Sequence, residues 1–154
     1  MPDPVLTDRE LADRLLIHDL LTRYTVAIDQ KDWKLLDTVF PPDAELDYVS
    51  SGGIKGGYPE VRAWLEKALA IFPVTVHYVT NSEVTLQGDR AAARTAVYNP
   101  MFFKNPDGSM HHFAVGAYYV DELVRTKQGW RITRRREDQA FLEGSLPKAL
   151  TIPS

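Results

Sequence analysis

A chain of 154 residues with 44% hydrophobic and 25% charged residues has the length and composition of one soluble globular domain with a sizeable core. A formal net charge of -3 gives no reason to expect a nucleic-acid partner, and the absence of cysteine excludes disulfides, thiolate metal sites and cysteine nucleophiles while fitting a reducing compartment. The acidic Met1-Pro2-Asp3-Pro4 start lacks the apolar core of a signal peptide. No stretch nears the roughly 18 apolar residues of a membrane span, so a cytoplasmic protein without membrane contact is expected.

Thr7-Asp8-Arg9-Glu10 has the pattern of a capping box, in which the Thr hydroxyl and the Glu carboxylate satisfy orphan amides at a helix start. From there Leu16, Ile17, Leu20, Leu21, Tyr24, Ala27 and Ile28 share one face at 3.6-residue spacing, and the helix is predicted to end near Asp29-Gln30. His18 falls on the polar side. On a straight helix Asp29 points away from the Tyr24/Ile28 face, so it turns inward only if the helix stops at Ile28 and the chain bends. Asp32 to Leu36 begin a second, short helix that Pro41-Pro42 stops. Ala44 to Val49 read as a strand. Ser51-Gly52-Gly53-Ile54-Lys55-Gly56-Gly57 reads as a mobile rim loop, because its glycines lack the Gly-Lys-Ser/Thr ending of a phosphate cradle. Pro59 then opens a helix carrying Val61, Trp64, Leu65, Ala68 and Leu69, which Pro73 closes.

The second half changes character. Residues 74–86, 91–104, 110–125 and 130–142 are β-rich, and Gln87-Gly88-Asp89, Asn105-Pro106-Asp107-Gly108 and Lys127-Gln128-Gly129 are hairpin-type connectors. Helices followed by a long antiparallel meander define an α+β class, and helices on one face of a long curved sheet make a cone whose mouth suits a small molecule. One domain over 1–154 is expected, with its core at about 7–141 and a C-terminal tail at 142–154. Within the first of these strands His77 shares a face with Thr75, Val79 and Asn81. His111 and His112 alternate faces, so one of them, taken as His112, is expected at the pocket rim. Arg134-Arg135-Arg136, followed by Glu137-Asp138, reads as a solvated, salt-bridged edge, with only the middle arginine in reach of an anionic substrate. Four histidines, no cysteine and no H-x3-H spacing give no reason to expect a metal site. Trp33, Trp64 and Trp130 read as core anchors. Met101, Phe102, Phe103 and Phe113 suit an apolar substrate pocket or a subunit interface.

Several segments together resemble the SnoaL-like family of the nuclear-transport-factor-2-like α+β superfamily. They are Tyr24-x4-Asp29-x2-Asp32-Trp33, Asp43-Ala44-Glu45-Leu46-Asp47-Tyr48, His77-Tyr78-x-Thr80-Asn81, Asp121-Glu122-Leu123-Val124-Arg125 and Gly129-Trp130-Arg131-Ile132. The similarity runs from about Thr7 to about Phe141. It lies nearest the branch of scytalone dehydratase, bile-acid 7α-dehydratase and γ-hexachlorocyclohexane dehydrochlorinase, which work without metal or organic cofactor. The resemblance implies a catalytic Asp29–His77 pair, a polar pocket residue at Tyr24, a pocket tyrosine at Tyr48 and a polar pocket residue at Asn99. Met101 and His112 complete the expected substrate-binding set. The chain departs from the dehydratases at Ala117, where one of them carries a second histidine, and near Gln139, where another has a late arginine. The acid that protonates the leaving group is therefore unassigned.

These readings lead to a cofactor-independent, dehydratase-like lyase. The carboxylate of Asp29 fixes the imidazole tautomer, and His77 removes a proton from a cyclic or polycyclic apolar substrate. A ketosteroid-isomerase-like double-bond shift or a polyketide cyclisation shares the first step. A ligand-binding or assembly module of the same fold is the non-catalytic alternative. The outer sheet face suggests a homo-oligomer, dimer or trimer.

Overall fold

The computed structural model describes residues 1–153 and places three helices against one strongly curled mixed sheet. Helix α1 spans Asp8–Gln30 and begins at the capping box: Glu10 N–H donates to Thr7 Oγ1 (3.2 Å) and Thr7 N–H to Glu10 Oε2 (2.8 Å). It ends where Lys31 turns into the left-handed region (φ 55°) and donates its N–H to Ala27 and Ile28 carbonyls. Ile17, Leu20, Leu21, Tyr24, Ala27 and Ile28 face the core, whereas Leu16 is 49% exposed, contrary to the sequence expectation. The buried Asp13 takes its turn of the face instead, accepting from Arg125 (2.5 Å) and Trp130 Nε1 (3.1 Å). A single turn, α2 (Trp33–Leu36), follows under an Asp32 cap.

Strands β1 (Glu45–Asp47) and β2 (Lys55–Gly57) form a small antiparallel pair around a 3₁₀ turn at Val49–Ser51. The glycine-rich segment, expected as a loop throughout, thus supplies an edge strand. Helix α3 (Tyr58–Ala70) has its proline in the first turn. Then come β3 (Val74–Thr75), β4 (Tyr78–Gln87), β5 (Arg90–Lys104), β6 (Met110–Thr126) and β7 (Gly129–Glu143). The sheet order is β2-β1-β7-β6-β5-β3, with β4 also pairing β5; β1 lies parallel to β7 and the other pairs are antiparallel.

Two irregularities position the site. The strand expected over 74–86 is broken at Val76-His77, between β3 and β4. The register on either side sets these residues opposite Asn99 and Pro100 of β5, and proline has no N–H for the ladder. The second lies in β7, where register shifts opposite Glu122/Leu123 and Gly116/Ala117 each insert an extra residue. Trp130 and Ile132 face inward, but after the first shift it is Arg135, not Arg134 or Arg136, that is buried. Close packing persists to the rim: a Cβ on Gly116 would lie 2.0 Å from the Phe141 ring.

Candidate active site

The break between β3 and β4 lies beside the last turn of α1. Asp29 Oδ2 accepts the His77 backbone N–H at 2.8 Å, and Asp29 Oδ1 meets His77 Nδ1 at 2.6 Å. The backbone donor that a regular strand would give to β5 goes to the helix carboxylate instead. Helix α1 runs through Gln30, at the end its periodicity predicted, so the stop at Ile28 that would turn Asp29 inward does not occur; Asp29 sits at the margin of a buried arc that includes Thr25. No bend is needed, because the strand break comes to the helix. The carboxylate only accepts, so Nδ1 carries a proton; in a neutral ring Nε2, which has no hydrogen bond from the described residues, then holds the lone pair, and His77 lines the adjoining cavity.

Asn99 holds the break from the opposite strand. Its Nδ2 donates to Thr75 Oγ1 (2.8 Å) and to the Val76 carbonyl (3.0 Å). Tyr24 and Tyr48 hydroxyls meet at 3.1 Å, and Tyr119 Oη donates to Tyr24 Oη at 3.5 Å. Burial pushes all three phenols well above the usual tyrosine range, so they remain neutral hydroxyls able to donate.

Beneath them lies Arg135, fully buried and bidentate to Asp121 (2.8 and 2.7 Å). Its guanidinium carbon stands 4.0 Å from the Tyr119 ring centroid and 4.2 Å from that of Tyr24. Burial disfavours its charge, but Asp121 outweighs that and keeps it a cation. Arg135 Nη1 is buried with no hydrogen-bond partner among the described residues. The expected solvated arginine edge is therefore corrected at its centre, and only Arg134 and Arg136 remain outside.

The His77 cavity, about 110 Å³, adjoins an apolar chamber of about 260 Å³. The two share Ser51, Trp64, Leu65, Leu69, Met101 and Val115 as walls, and the chamber continues to Phe72 and Phe113. Leu146, Leu150 and Ile152 of the C-terminal tail close its far side, held by Trp64 Nε1 donating to the Pro153 carbonyl (2.8 Å).

Thus Tyr24, Asp29, Tyr48, His77, Asn99 and Met101 converge. His112 does not. It is exposed on the outer sheet face, stacked on Phe102 at 4.8 Å, because Phe113 and Val115 hold the inward phase of β6. His111 occupies the inward phase nearer the rim, with Nε2 2.6 Å from the Ser145 carbonyl. Glu137, which sequence reasoning passed over, lines the His77 cavity. Its signal was hidden by the β7 bulge; unbroken alternation from Trp130 would have sent it outward. Among the described residues no group of three or more His, Asp or Glu side chains is placed to hold a metal ion, and no helix is long and apolar enough to cross a membrane.

A few helices packed on a strongly curled mixed sheet form the cone-shaped architecture of the nuclear-transport-factor-2-like α+β proteins. Residues 9–136 match the SnoaL-like domain, and the chain belongs to that family. The uncharacterised protein Rv2910c of Mycobacterium tuberculosis is 44% identical over 137 residues, covering 89% of this chain and 92% of that one. A Novosphingobium aromaticivorans structure, provisionally named an aromatic ring hydroxylase, is 32% identical with TM-score 0.78, covering 88% of this chain and 94% of that one. The hexachlorocyclohexane dehydrochlorinase LinA-type3 of Novosphingobium barchaimii shares the fold at TM-score 0.72 and 19% identity, covering 94% of this chain and 97% of that one.

Proposed function

We propose that this protein is a cofactor-independent lyase that eliminates a leaving group, water in the simplest case, from a cyclic, largely apolar carbonyl compound. The observation that carries the reading is the double engagement of Asp29 by His77, through Nδ1 and the backbone N–H, in a residue that lines the cavity and whose Nε2 is left unengaged by the described residues. Asp29 acts as a positioning residue, because both of its oxygens are committed to His77. Neutral His77 takes the proton beside the substrate carbonyl, and the Tyr24/Tyr48 hydroxyl pair donates to the enolate oxygen as charge develops there. The nearby Arg135 cation stabilises that negative charge from beneath the rings without touching substrate. The apolar chamber supplies binding area for the ring skeleton. That a dehydrochlorinase shares this fold is compatible with an elimination, and its 19% identity carries no more than the fold.

The test uses two readouts on cyclohexanones: exchange of the proton beside the carbonyl in D₂O, and release of water from β-hydroxycyclohexanone. His77→Ala is expected to lower both rates by about 10²–10⁴, the usual contribution of a positioned base. Asp29→Asn should lower both as well, while each variant melts close to the wild type. Exchange and elimination that persist in both variants would sink the reading. Exchange without elimination, accompanied by a shifted double bond, would redirect it to isomerisation.

A further inference from the structure

The proposed elimination leaves one proton unassigned, the one that turns a departing hydroxyl into water. We propose that Glu137, in the wall of the His77 cavity, is the general acid that delivers it. This inference rests on the elimination reading and adds a second catalytic group to it.

Four observations place Glu137 in that role. The β7 bulge turns residues 135 and 137 inward, so Glu137 shares the cavity with His77, Tyr24, Tyr48 and Tyr119. Its carboxyl is deeply set, and one oxygen is already used: Ser51 Oγ donates to Oε1 at 2.5 Å. The other oxygen, Oε2, takes no hydrogen bond from the described residues, so it is the one free to carry a proton toward a ligand. The backbone is fixed as well, since Ser50 Oγ donates to the Glu137 carbonyl (2.5 Å) and accepts from Gln139 N–H (2.8 Å).

The groups facing Glu137 are Ser51 from the 3₁₀ turn, His77 from the strand break, Tyr48 after β1, Tyr119 from β6 and Arg135 from β7 itself. Burial pushes the carboxyl above its ordinary value of about 4.5; the Ser51 hydrogen bond and the Arg135 charge only partly oppose this, and His77 adds to that opposition only once it is protonated. Arg135 is paired with Asp121 through two hydrogen bonds, which offsets its pull on the Glu137 proton.

The step balances with these two groups alone. His77 Nε2 takes the C–H proton, and the electron pair of that bond forms the new C=C bond as the C–O bond breaks. The departing oxygen takes the Glu137 proton and leaves as water. Glu137 becomes a carboxylate beside an imidazolium, a pair that the charge of His77 stabilises. As product leaves, the imidazolium proton returns through water to Glu137, and both groups are reset.

Two probes on one skeleton separate this role from others: β-hydroxycyclohexanone, whose leaving group needs a proton, and β-(p-nitrophenoxy)cyclohexanone, whose leaving group departs as an anion. Glu137→Gln keeps the shape and the Ser51 contact. It is expected to slow loss of water by about 10²–10⁴ and loss of nitrophenoxide by far less. His77→Ala should slow both. Infrared difference spectra of the ligand-free protein supply a second readout, a carboxylic-acid C=O band that persists above the ordinary glutamate range and disappears in Glu137→Gln.

Equal slowing of both probes by Glu137→Gln, or no protonated band above the ordinary range, would overturn the assignment while leaving His77 as the base. Unchanged rates in His77→Ala would instead overturn the elimination reading itself. A wild type inert to both probes overturns both.

Discussion

The two ends of the cone are built by opposite means. At the closed end, side chains from α1, the 3₁₀ turn after β1, β6, β7 and the β3/β4 break meet through directed polar contacts: Asp29 with His77, Tyr24 with Tyr48, Arg135 with Asp121 and Ser51 with Glu137. At the open end Leu65, Leu69, Phe72, Phe113 and the tail residues Leu146 and Leu150 meet through apolar surface, and the tail is tied by hydrogen bonds to Trp64 and His111. Apolar contact tolerates changes of shape, whereas a buried polar network fails when one member is lost. The chamber can therefore change shape with little effect on the polar contacts of the closed end.

The comparison breaks most visibly at the acid–base pair. His77→Ala, Asp29→Asn and the double variant should each lose about 10²–10⁴ in rate, and the double should lose little more than His77→Ala alone, because the two act as a unit. Steady-state kinetics on the cyclohexanone probes measure this, and additive losses would show independent roles. Stability answers next. Asp121→Ala leaves the Arg135 charge buried and unpaired, and is expected to cost about 3–5 kcal/mol in urea unfolding. Replacing both partners at once, Asp121→Leu with Arg135→Met, should recover most of that loss.

A smaller effect tests the open end. Met101→Ala enlarges the shared wall of the two cavities and is expected to raise KM roughly tenfold with kcat nearly kept, the mark of uniform binding. A large fall in kcat would show that the chamber aligns the reacting atoms as well as holding the ring.

A pH titration separates the ends in another way. Glu137 binds its proton more tightly folded than unfolded, so its stabilising contribution is complete below about 4.5 and is lost as pH rises through its higher folded value. The stability of wild type relative to Glu137→Gln should therefore fall with rising pH across that window and then level off. Asp13, far from the cavity, runs the other way. Burial pushes it up, but hydrogen bonds from Arg125 and Trp130 outweigh that and hold it below the usual carboxylate range. Its contribution is present above its ordinary value of 3.8 and is lost as pH falls through the folded value. The smallest effect belongs to the surface: Arg9→Ala removes a pair to Asp89 with both side chains 66% exposed, and is expected to shift stability by less than about 1 kcal/mol.

Much of this molecule is legible along the chain. The Thr7/Glu10 capping box, the apolar face ending at Tyr24, Ala27 and Ile28, the proline-opened α3 and the turn-punctuated β-rich second half depend on spacings of a few residues, and local chemistry sets them. Resemblance added the expectation that Asp29 and His77 belong together.

What periodicity misread has one cause in three places. Asp29 looked outward, His77 looked like one residue of a regular strand, and Arg135 looked like a solvated edge. Each reading assumed unbroken strands: α1 is itself continuous, but the break between β3 and β4 brings His77 to Asp29. The strand breaks opposite Asn99 and Pro100, where His77 gives its N–H to a helix instead of a ladder, and β7 bulges, which exchanges its inner and outer faces between its two register shifts. A side-chain period survives only as long as the hydrogen-bonded register does. The chain by itself determined the elements and the residue types; tertiary pairing, by deciding where register is kept and where it slips, decided which of those residues share a cavity.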